Sequence, residues 1–197
     1  MIKNYARSFL PWIVFAVVSG FDVRAGAVAG LAAALILLIN ERRSGMPWDA
    51  LILDISTGAY MLVIAVLACA APHLAVLQYG TALSFGWLAV TAWFGLAIGR
   101  PFTTGIARRQ VDEFIATTPL FRRINVVITT VWAICFTLDA VTLTVLQMRY
   151  PHATTPLLIA KFGFFVLAAV FTARYPDIAR RRAGFGDTAD AEGGRLA

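Results

Sequence analysis

The sequence predicts an all-α, polytopic membrane protein, and three observations carry that prediction. Apolar residues make up 59% of the chain and charged residues 14%, where a soluble domain carries about 45–50% and about 25%. The apolar residues gather into repeated runs long enough for membrane helices. The charges fall mainly in short connections dominated by arginine. At a mean hydropathy of +0.75, a soluble fold of this size would lack the polar surface to cover its apolar atoms. Lipid removes that requirement.

Six spans are expected, over 8–21, 24–40, 49–70, 74–98, 123–147 and 156–174, in one transmembrane domain covering 1–175. The first two are separated only by Asp22-Val23-Arg24, so they form a short N-terminal helical hairpin. Both fall below the ~20 residues of a full crossing, and a partial crossing would leave the side of the termini unchanged. No small-residue cleavage site followed by a hydrophilic mature chain is present, so a cleaved signal peptide is not expected. Cys69 and Cys135 lie inside apolar runs and read as small core residues.

Fourteen Lys and Arg residues fall in the N-terminal segment, the inner connections and the tail, whereas Arg24 and Arg149 alone fall on the other side. Short arginine-rich connections stay in the cytoplasm, which predicts a bacterial cytoplasmic (inner) membrane protein with both termini cytoplasmic. The same clusters suit anionic lipid headgroups. The pI near 9.9 therefore reads as membrane orientation, and no nucleic-acid partner is expected.

The longest inner connection, GRPFTTGIARRQVDEFIATTPLFRR, starts at Gly99. Over 103–115, Ile106, Gln110, Val111 and Phe114 form a mostly apolar stripe. Arg108–Asp112 and Arg109–Glu113 stand four apart on the other side. The pattern predicts an amphipathic helix in the cytoplasmic interface, preceded by Arg100, Pro101 and Phe102 and ended by Pro119. Arg122 and Arg123 then sit at headgroup level. Gly26-x-x-x-Gly30 and Gly95-x-x-x-Gly99 predict close helix approach. Residues 176–197 are polar and arginine-rich and are expected to be a disordered cytoplasmic tail.

Three charges stand inside the spans: Asp54, Asp139 and Lys161. Ionisable groups in hydrocarbon are costly and are usually paired or water-exposed, so these are the candidate functional residues. Asp139 lies ten residues before Arg149 and Lys161 nine residues after His152, which sets them at similar depth on antiparallel neighbours. An Asp139–Lys161 pair is expected. Arg100 is the nearest expected partner for Asp54. Span-five threonines are expected to bond their own backbone, whereas Asn125 is placed to bridge helices. His73 and His152 lack a Cys or carboxylate companion, and no HExxH, GxSxG or phosphate-cradling glycine loop occurs. No metal, cofactor or catalytic set is therefore assigned.

Arg123-x-Asn125, Trp132, Phe136 and Lys161-Phe162-Gly163, with Gly99-Arg100-Pro101-Phe102-Thr103 before them, resemble the bacterial inner-membrane family named for intracellular septation. The resemblance covers roughly residues 99–165. It implies a small polytopic protein of envelope maintenance or division, with no established chemistry and with Asn125, Trp132, Lys161 and Gly163 as family positions. Two functions follow. One is a scaffold that meets other membrane proteins or copies of itself. The other is a small transporter, channel or lipid-handling protein with Asp54, Asp139 and Lys161 in a polar path. A membrane enzyme ranks third.

Overall fold

The computed structural model describes residues 8–71, 73–150 and 154–183. All regular structure among them is helical. The α-helices are α1 (Leu10–Val18), α2 (Val23–Arg43), α3 (Ile52–Ala70), α4 (Gly80–Ala97), α5 (Phe102–Arg108), α6 (Glu113–Ala116), α7 (Pro119–Arg149) and α8 (Thr154–Arg182). Short 3-10 turns, Trp48–Leu51 and Ala75–Tyr79, precede α3 and α4.

Five helices are long and apolar enough to cross a membrane: α2, α3, α4, α7 and the Phe162–Arg182 part of α8. In each, fewer than half of the residues in the most apolar window are buried. Ile36, Val66, Val90, Phe94 and Val141 point outward, as helices solvated by lipid require. The expected span over 8–21 is different. Helix α1 has nine residues, about 13.5 Å at 1.5 Å per residue, against a hydrocarbon core of about 30 Å. It starts efficiently because Pro11 occupies the first turn, where its missing N–H would have no partner anyway.

Asp22 caps α2 by accepting from the Ala25 N–H at 2.7 Å. The α1–α2 hairpin closes on Gly26 and Gly30, as expected. A Cβ at Gly26 would lie 2.6 Å from Ser19 N and 2.8 Å from its Cα, and one at Gly30 would lie 3.1 Å from Phe15 Cβ. Gly95 and Gly99 do something else. Gly99 takes φ +69, its N–H donates to Leu96 O, and the Arg100 N–H donates to Gly95 O at 2.8 Å. Those two bonds make a Schellman cap for α4. The spacing that suggested helix packing is here the spacing of a helix end.

The loop expected to be one amphipathic helix over 103–115 is two short helices separated by a turn at 109–112. Phe102, Thr103 and Ile106 are buried, so α5 is wedged into the bundle and does not lie along an interface. Helix α7 starts at Pro119 under a Thr118 cap that accepts from the Phe121 N–H. Its 31 residues reach about 46 Å, longer than the membrane core. Helix α8 runs through Pro176 to Arg182, so the expected disordered tail does not begin at 176. Phe171 stacks on Tyr175 at 4.9 Å, and Ala179, one turn on, packs against the core. Residues 184–197 lie outside the described residues.

Helices α1, α2 and α3 form one half of the bundle, and α4, α7 and α8 the other. Side chains join the halves. Phe9, just before α1, stacks on Trp132 at 5.5 Å and meets Phe165 edge-on at 5.4 Å, while Tyr60, packed against Trp12 within the first half, meets Trp87 of the other at 5.7 Å. Trp87 Nε1 donates to Ser56, and Tyr60 OH bonds Ser84. The short helix thus fills the centre with aromatic rings.

Candidate functional site

The wedge α5 positions the first buried charge. Thr103 donates from Oγ1 to the Asn125 carbonyl at 3.0 Å and bonds Thr129 Oγ1 at 2.8 Å. Two residues on, a Cβ at Gly105 would overlap the Ala50 carbonyl, so α5 backbone rests directly on the turn before α3. Held at both contacts, α5 ends with Arg109 aimed inward.

Arg109 gathers residues from three other elements. Nη2 donates to Asp54 Oδ2 of α3 at 3.1 Å. Nη1 donates to Ser8 Oγ before α1 at 3.1 Å. Nε lies 3.4 Å from Glu41 Oε2 at the end of α2 without hydrogen-bond alignment, so that contact is an ion pair only. The three charged side chains are 6–10% exposed. A planar guanidinium can serve several acceptors at once, which a lysine cannot do in the same geometry. Removing the cation would strand the Asp54 carboxylate in a poorly solvated place.

Two expected pairings are overturned here. Asp54 meets Arg109 and not Arg100. Arg109 turns away from Glu113 because the chain leaves helical geometry at 109–112. Glu41 was missed by the reading of the sequence, although it carried a signal. A glutamate in the last turn of an apolar helix opposes the helix dipole and requires a cation nearby.

Asp139 is the second buried charge. It is fully buried on α7, and neither carboxylate oxygen has a hydrogen-bond partner among the described residues. Phe136 and Leu143 on its own helix are buried with it. The Lys161 side chain lies outside the described residues, as does His152. The backbone register is still informative. Trp132 meets both Thr172 and Phe165, and following α7 toward its C-terminus and the antiparallel α8 toward its N-terminus from there brings position 161 level with Asp139.

The remaining candidates separate. Asn125 is buried and donates from Nδ2 to Phe121 O at 2.9 Å, so its side chain serves its own helix. The interhelical link runs through its backbone carbonyl instead. Trp132 Nε1 donates across to Thr172 Oγ1 at 2.9 Å. Thr130, Thr137 and Thr144 bond their own helix, as expected, whereas Thr129 reaches α5. Gly163 has no described neighbour within 4 Å. Pro101 and Phe102 anchor α5, and Arg100, Arg108, Arg122 and Arg123 line a groove at the arginine-rich end.

Fold and buried charges together define an all-helical protein with five helices suited to crossing a membrane. No family model, curated protein or solved structure matches the chain.

Proposed function

We propose that the chain is a scaffold of the bacterial cytoplasmic membrane, with both termini cytoplasmic, in the envelope-maintenance role that the septation resemblance implies. One observation supports this reading above the others. The aromatic centre formed by Phe9, Trp12, Tyr60, Trp132 and Phe136 is closed. The three well-formed grooves among the described residues are not lined by Asp54, Glu41, Arg109 or Asp139. The interior charges therefore act as locks between helices. Arg109 ties α1, α2, α3 and α5 together, and the pairing of Asp139 with Lys161 expected from the sequence would tie α7 to α8 in the same way. With five crossing helices, both ends lie on one side only if α1 and its flanking residues complete a sixth crossing. Copies of this chain or other membrane proteins are the partners this role requires.

The test is reconstitution in proteoliposomes with pH-sensitive and potential-sensitive dyes inside. A scaffold gives ion and proton leaks equal to those of empty vesicles. Labelling of single cysteines introduced at Ala183 and Phe21, in a background lacking Cys69 and Cys135, should mark the first as cytoplasmic and the second as external. A transporter is the second reading, supported by the Asp139 carboxylate, which has no partner among the described residues. It requires flux that disappears in Asp139→Asn.

A further inference from the structure

A groove of about 900 Å³ opens at the arginine-rich end, between the Gly99–Pro101 turn, α5 and the first turns of α7. Arg100, Arg108, Arg122 and Arg123 line it, and no Asp or Glu does among the described residues. Arg100, Arg122 and Arg123 are exposed, and none has an ion-pair partner among the described residues. Arg109 and Arg180, by contrast, meet carboxylates at 3.1 and 3.8 Å. Here like charges converge on one space, an arrangement that an anion relieves.

Two further features say what kind of anion fits. Thr104 stands in the wall of the groove, and its buried Oγ1 has no hydrogen-bond partner among the described residues. Below the arginines the lining turns apolar, with Phe121, Val126 and Val127. Val126 and Val127 are three and four residues beyond Arg123, about 5–6 Å further along α7. A free phosphate would use only the charged rim. A phosphate ester with an acyl chain would use the rim and the floor together.

We propose that this groove is a binding site for the phosphate headgroup and upper acyl chain of an anionic phospholipid. The guanidinium forks of Arg122, Arg123 and Arg100 donate to the phosphate oxygens, and the Val126–Val127 floor seats the chain. The site stands whether the bundle is a scaffold or a transporter, because it uses none of the interior charges.

The experiment is native mass spectrometry of the purified full chain, released from nanodiscs that mix phosphatidylcholine with phosphatidylglycerol or cardiolipin. Wild-type protein is expected to retain the anionic lipid selectively. Each arginine near a membrane surface changes affinity roughly fivefold, so Arg122→Gln with Arg123→Gln should lower retention by roughly thirtyfold. The control, Arg24→Gln with Arg149→Gln at the opposite end of the bundle, should stay near wild type. Should the double variant fail to fold, Arg100→Gln alters one exposed turn residue and should lower retention roughly fivefold. Val126→Trp obstructs the floor at a lipid-facing position. It should weaken lipid retention and leave the binding of inorganic phosphate unchanged. Phosphate binding equal to lipid binding, with Val126→Trp silent, would overturn the lipid in favour of a soluble phosphate. Equal retention of anionic and zwitterionic lipid, or equal loss in the control, would overturn the site altogether.

Discussion

Asp54 and Asp139 are both buried aspartates on membrane-type helices, yet their surroundings differ in kind. Asp54 sits one turn from the arginine-rich end and shares a guanidinium with Glu41 and Ser8. Asp139 is deep in α7 among apolar neighbours, without a partner among the described residues. The contrast shows where each cation must come from. Near a connection, a short helix such as α5 can swing a long arginine inward. In mid-membrane only a neighbouring span can supply the charge, and it must do so at matching depth.

The largest expected effect comes from breaking the first site. Arg109→Ala strands the buried Asp54 carboxylate and should cost about 3–5 kcal/mol, read as lost thermal stability in nanodiscs or failure to accumulate. Arg109→Lys should recover only part of that, because an ammonium cannot reproduce the fork. Asp54→Asn keeps the shape and removes one charge. It should cost about 1.5–3 kcal/mol, the worth of a charged hydrogen bond. Full stability in this variant would mean that Glu41 and Ser8 suffice to hold Arg109. Thr103→Val removes the hydroxyl that fixes α5 to α7, at about 1 kcal/mol. It should also raise hydrogen exchange around Arg109, which a purely local loss would not do.

The sequence made the long helices legible because their composition admits few alternatives, and it made Gly26 and Gly30 legible because a glycine pair one turn apart invites close packing. Other features share a signature with something else. The Gly95–Gly99 spacing fits a helix interface and a helix cap equally well, and only the φ of Gly99 decides. Helical periodicity persists across 103–115, so the turn at 109–112 is invisible until Phe102 and Ile106 are seen to be buried. Helix α8 continues past Pro176 because Tyr175 and Ala179 still pack, a tertiary reason that the polar composition of the tail conceals. The site was half legible: Asp54 was marked by its charge, whereas Glu41 and Arg109 passed as ordinary interfacial residues.

The most direct test of the account is a mutant cycle at the second carboxylate, where the smallest net effect is expected. Asp139→Leu and Lys161→Met are made singly and together, and stability is measured in nanodiscs. If the interior charges are locks, each single change strands a charge and costs about 3–5 kcal/mol, while the pair of changes together costs under about 1.5 kcal/mol, as volume-conserving apolar replacement allows. Single variants that are each neutral, or a double variant whose loss equals the sum of the two, would contradict the account and place both charges in water.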